Sequence, residues 1–151
     1  MSQLDPLKDF TKIKLGQRVD RATANILTGT DLFTVAGGRV LVTQIVGEVT
    51  TIMETKTINF KLASDPTVGT TNDMCANLDL TAAEQGTLLT ISGTAADALR
   101  AGKSGSVVGQ NSPIVVAVGA IEATVGATHT GSIKWSLWYV PLDDGAYVEA
   151  A

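Results

Sequence analysis

The sequence predicts an all-β fold: an antiparallel β-sandwich or jelly-roll-like barrel, with one short helix in a loop and an amino-terminal arm. Three observations carry this prediction. Apolar and polar residues alternate with a period of two in several short segments, as on strands with one dry and one wet face. Other segments are unbroken runs of β-branched residues, which suit a pleated surface buried on both sides. Gly, Asp, Asn and Pro clusters divide these segments at short intervals, the punctuation of many short strands joined by turns.

Taken in order, residues 1–17 mix Lys, Asp, Leu and Phe without a clean period and are interrupted by Pro6 and Gly16. They read as an arm that buries little by itself and orders only against a neighbour. Residues 18–151 read as a single β-sandwich domain. Within it "RVLVTQIV" (39–46) and "PIVVAV" (113–118) are apolar on both faces and predict core strands. In "TINFKL", Ile58, Phe60 and Leu62 alternate with Thr57, Asn59 and Lys61. In "AIEATV", Ile121, Ala123 and Val125 oppose Glu122 and Thr124. The one predicted helix is about two turns over "AADALRA", with Thr94 as its cap and Gly102 as its stop.

The segment "GSIKWSLWYVPL" (131–142) holds three of the seven aromatic residues. Period two places Ile133, Trp135, Leu137 and Tyr139 on one face, and Lys134, Ser136, Trp138 and Val140 on the other. Each residue of the first set contributes on the order of 1.5 to 3 kcal/mol if fully buried, so this strand is expected to be central. Trp138 falls on the polar face, where it is second-layer core, a subunit contact or a ligand platform. After Pro141, "DDG" (143–145) predicts a tight hairpin turn, with positive φ at Asp144 and Gly145, that returns "AYVEA" alongside.

A chain of 151 residues fits one domain able to bury roughly 70% of its unfolded surface. Charged residues make up only 17%, so much of the polar surface must come from Thr, Ser, Asn and Gly. Such ion-poor surfaces are easily desolvated and suit a protein that spends its life against a partner. The net charge of -4 argues against nucleic-acid binding, which relies on clustered Lys and Arg to neutralise phosphates. Charge is uneven: Lys8, Lys12, Lys14, Arg18 and Arg21 face three acids in the first 21 residues, whereas beyond Ser104 a single Lys134 faces Glu122, Asp143, Asp144 and Glu149. The ends are complementary, within one subunit or between two. The amino terminus carries no apolar core of a secretion signal, and the longest apolar run, 114–121, is far short of the roughly 20 residues that span a bilayer. With a lone cysteine, folding is expected in a reducing cytoplasm without a membrane segment.

Catalytic chemistry is scarce, and no cofactor or metal site is predicted. His129 is the only histidine and reads as a polar residue at a strand start, since a general base needs a nucleophile and an orienting carboxylate beside it. Cys75 lies among small and apolar residues with no adjacent cation, the setting of a buried inert thiol. "AGKSGS" (101–106) has Asp97 where a phosphate-binding loop needs glycine, so Lys103 reads as a solvated loop charge. The adjacent acids of "DDG" lack the alternating oxygen ligands of a calcium loop.

The carboxyl end "GSIKWSLWYVPLDDGAYVEAA", with the arm and the Thr/Ala/Gly-rich body, resembles the small capsid decoration (cement) or head-associated proteins of tailed bacteriophages. The resemblance is clearest over 113–151 and is compositional elsewhere. It implies a jelly-roll or related sandwich, trimers at local threefold positions, and clamping of neighbouring major capsid subunits without cofactor or catalysis. The expectation is therefore a non-enzymatic virion protein on the capsid surface, made in the host cytoplasm, whose partners are the major capsid protein and further copies of itself. Lys8, Lys12, Lys14, Arg18, Arg21 and Trp138 are the expected contact residues. The alternatives are a carbohydrate- or surface-binding sandwich module, or another virion part such as a tail-tube or head-completion subunit.

Overall fold

The computed structural model describes residues 15–151. Twelve strands form two six-stranded antiparallel sheets packed face to face: β1 (Gln17–Ala24), β2 (Thr30–Ala36), β3 (Val40–Thr51), β4 (Asn59–Pro66), β5 (Asn72–Asp73), β6 (Leu78–Asp79), β7 (Leu88–Thr90), β8 (Arg100–Gly102), β9 (Ile114–Val116), β10 (Gly119–Val125), β11 (Ser132–Pro141) and β12 (Tyr147–Ala150). The first sheet runs β1-β11-β3-β7-β8, with β9 also on β3; the second runs β12-β2-β10-β4-β5, with β6 also on β4.

The pairing is nested. β1 pairs with β11, β2 with β10, β3 with β9, and β4 with β5 and β6, while successive strands β1 to β4 alternate between the sheets. The result is an antiparallel β-sandwich, the class of fold that the sequence pattern predicts. β12 adds a further strand beside β2.

The period-two readings hold where they name a face. Ile58, Phe60 and Leu62, then Ile121, Ala123 and Val125, then Ile133, Trp135, Leu137 and Tyr139, are all buried in one core. On β3 the inward set shifts parity, from Val40 and Val42 to Ile45, Gly47 and Val49. A bulge at Thr43 causes the shift: Val42 pairs with Tyr139 and Gln44 with Trp138, which leaves Thr43 as the extra residue.

The widest core side chain fixes the spacing of the sheets. Trp135 lies opposite Gly47 and stacks on Phe60 of the other sheet, with ring centroids 6.0 Å apart and planes 17° from parallel. A Cβ on Gly47 would lie 2.8–2.9 Å from the indole carbons, so only glycine leaves room for the ring.

Three sequence expectations are corrected. The segment expected as a helix after Thr94 is a turn followed by extended chain. The Thr94 N–H donates to the Ser92 hydroxyl (3.0 Å), that hydroxyl donates to Asp97 (2.8 Å), and Ala98 bridges Ala76, after which β8 ends at Gly102. A two-turn helix is marginal alone, and Ser and Asp side chains here capture the backbone in competition with it, while Leu99 still reaches the core.

"PIVVAV" is an edge strand rather than a doubly buried one. Among the described residues β9 pairs only with β3, Val116 is buried, and Val115 is 58% exposed. A run of β-branched residues satisfies a strand at either place, and only the order of strands separates the two.

"DDG" does not close a hairpin. β12 pairs with β2 in the opposite sheet, Gly145 has φ +81°, and Ala82 is the sole non-glycine residue of positive φ among the described residues, so Asp144 has none. The connection is instead clamped by Asp143, whose carboxylate accepts from the Arg39 N–H (2.8 Å), Nε (2.9 Å) and Nη2 (2.9 Å). These bonds hold the Asp143 carboxyl well below the usual carboxylate range.

Gly47→Ala is expected to destabilise the protein by about 1–3 kcal/mol through overpacking against Trp135. Chemical denaturation followed by tryptophan fluorescence measures it; an unchanged midpoint would remove the Trp135–Gly47 contact from its place in the core.

Candidate adhesive surface

The strand registers decide which of the expected contact residues meet. Arg18 on β1 pairs with Trp138 on β11, and Asp20 with Ser136. The Arg18 guanidinium carbon stands 5.3 Å from the centre of the half-buried Trp138 ring, a cation–π contact. Arg18 Nε also donates to Asp20 (2.8 Å), to which the Ser136 hydroxyl donates as well (2.7 Å). The Ser136 and Arg18 bonds lower the Asp20 pKa. Trp138 therefore belongs to a local network on the outer face of the first sheet, its ring partly covered by its own chain.

Arg21 behaves differently. It pairs with Trp135 and so points inward, where Nη2 lies 3.3 Å from the Asp31 carbonyl of the other sheet and bridges the open side of the sandwich. Lys8, Lys12 and Lys14 lie outside the described residues.

His129 is a structural pin. Its Nε2 donates to the Ile26 carbonyl (2.6 Å), and Nδ1 stands 3.4 Å from the Asn25 amide, which itself donates to the carbonyls of His129 (2.7 Å) and Gly131 (2.6 Å). Cys75 is buried and accepts the Leu62 N–H at Sγ (3.3 Å); burial pushes its thiol up, away from the reactive thiolate. Lys103 is exposed in its loop. Among the described residues no group of three or more His, Cys, Asp or Glu is placed to hold a metal ion, and no helix is long and apolar enough to cross a membrane.

Two surfaces stand out that the sequence reading did not single out. The first is the β9 margin of the first sheet with the connections that flank it. From Ser104 to Ile121 the chain carries no charged residue, and along this stretch Val108 is 69% exposed and Val118 38% exposed. Exposed sheet edges are ordinarily protected by charges, bulges or covering segments. Beside the β9 edge is a hollow of about 260 Å³ walled by Gly93, Ile114, Val115 and Ala117 on one side and by Asn72 and Asp73 on the other. The length of the uncharged run was the signal available in the sequence. What hid it was the reading of 113–118 as interior.

The second surface is the acidic outer face of the second sheet. Glu122 pairs with Asp31, and Asp65 lies on the neighbouring strand. Desolvation, then Asp65 and Asp31, raise the Glu122 pKa. Of the acids of the carboxyl-terminal third, Glu122 thus lies on this face and Asp143 in the Arg39 clamp.

A raised folded-state pKa means that ionised Glu122 opposes folding at neutral pH, and that the opposition disappears once the group is protonated in both states. Glu122→Gln is therefore expected to raise the thermal midpoint at pH 7. The gain should vanish below the ordinary glutamate pKa of about 4.3. Melting curves of both proteins across that range check it; a pH-independent difference would show that charge repulsion is not the cause.

No protein-family model, no curated protein and no solved structure matches this chain.

Proposed function

We propose that this protein is a non-catalytic virion component that binds and stabilises an assembled phage capsid as a decoration protein, with the major capsid protein as partner and a homotrimer as the binding unit. The observation that carries the reading is the uncharged run from Ser104 to Ile121, which includes β9 and leaves Val108, Val115 and Val118 exposed on a β-sandwich body. Double-sheet sandwiches recur in capsid and lectin domains, so the fold alone supports both classes by analogy. A long uncharged stretch with exposed valines favours adhesion to another protein over sugar binding, because sugar recognition needs convergent polar groups around an open aromatic. Trp138, the aromatic expected for a sugar platform, has Arg18 over its ring. In this reading Lys8, Lys12 and Lys14 of the arm supplement the contact by facing an acidic capsid surface, and the protein resides on the outside of the head.

The test is co-sedimentation of the purified protein with assembled heads of the phage that encodes it. Saturable binding is expected, and the Val108→Asp/Val118→Asp variant should lose it while keeping the parent melting midpoint. A variant that binds as well as the parent, or a parent that leaves heads in the supernatant, would overturn the reading.

A further inference from the structure

We propose that Arg21 and Trp135 hold a small monovalent anion of halide size between the two sheets, at the β1 side of the sandwich. The inference is independent of the proposed function. It rests on two buried N–H groups that face one place and find no acceptor in the protein.

The strand register brings the two residues together. Arg21 lies directly opposite Trp135 in the antiparallel pair of β1 with β11, so both side chains leave the same inner face of the first sheet. The indole is oriented by the neighbour on its other side, since its Cε3, Cζ3 and Cη2 carbons lie against Gly47 on β3. In an indole Nε1 is on the edge opposite Cε3 and Cζ3, so Nε1 is turned away from β3 and towards β1. Trp135 is 1% exposed, and its Nε1 has no hydrogen-bond partner in the protein.

The guanidinium of Arg21 has the same deficit. Its Nη2 lies 3.3 Å from the Asp31 carbonyl, while its Nε is buried and without a partner. The ion pairs among the described residues use Arg18, Arg39, Lys56, Lys61 and Lys134 instead. The acids nearest along the strands face outward: Asp20 is bonded to Arg18 and Ser136, and Asp31 is exposed opposite Glu122. Both strands are irregular at this place. β1 shifts register between Arg21 and Ala24, and β2 carries Leu32 as the extra residue between Asp31 and Phe33. Such bulges re-aim side chains and accompany sites.

The donors select the ligand. A water molecule would accept both N–H bonds but leave a permanent cation uncompensated where it is shielded from solvent, which is costly. An anion accepts both bonds and neutralises the charge, and charge-assisted bonds are roughly twice as strong as neutral ones. The next inward pair, Val19 and Leu137, is apolar, so the further oxygens of sulfate or phosphate would find no donors there. A halide has none to satisfy.

The test compares thermal midpoints of the full-length protein and of Arg21→Met, which keeps an apolar stem and removes the donors, in sodium bromide and in sodium gluconate at equal ionic strength. The parent midpoint should rise relative to that of the variant by roughly 3–5 °C for each tenfold increase in bromide above the dissociation constant. A gap that is the same in both salts would overturn the proposal. A second measurement does not depend on the variant. Crystals of the parent soaked in bromide should show an anomalous peak between Arg21 Nε and Trp135 Nε1; no peak there, or peaks confined to the outer surface as adventitious ions only, would also overturn it.

Discussion

The fit of one indole ring between a glycine and a phenyl ring sets the geometry of this molecule. Trp135 occupies the place beside Gly47 that any other residue would fill and stacks across the interior on Phe60. Strands β11, β3 and β4 are therefore held at one relative height, and the rest of the core packs around them with Ile45, Leu137, Leu62 and Ile121 fully buried. Close packing makes that arrangement intolerant of an added methyl group, in the way crystals are and liquids are not.

Nested pairing follows from the same arrangement. The outer pairs of strands must come together over long stretches of sequence, β1 with β11, β2 with β10 and β3 with β9, so most of the stabilising contacts are non-local. Such topologies close late and leave margins that need separate protection. One margin is protected: Arg21 reaches from β1 to the Asp31 carbonyl of the other sheet. On the opposite side β8 carries Arg100, while the chain from Ser104 through β9 is uncharged and exposes valines.

That asymmetry is the physical basis of the functional reading. The buried polar residues that resemble reactive groups in the sequence are engaged by the fold: His129 by the Ile26 carbonyl and Cys75 by the Leu62 N–H. Charged side chains on the outer face of the first sheet are paired, Arg18 with Asp20 and Lys134 with Glu48, while the second sheet carries the acidic outer face. What remains distinctive on the first sheet is the exposed apolar surface at its β9 margin, and apolar surface of this kind is used by being covered.

The sequence alone determined the class of fold, the inward faces of β4, β10 and β11, the centrality of the β11 strand and the inertness of Cys75. These are properties of a single strand or its near neighbours, set by alternation with a period of two and by which side chains lie close in the chain. The tertiary structure decided that 113–118 is a margin, that 94–99 is a turn followed by extended chain, that Asp143 clamps Arg39, and that of the basic residues Arg18 stacks on Trp138 while Arg21 turns inward. Each of these depends on which strand lies beside which and on a bulge that moves the register by one residue. Local alternation carries no record of either, because pairing partners are chosen by the packing of the whole sandwich.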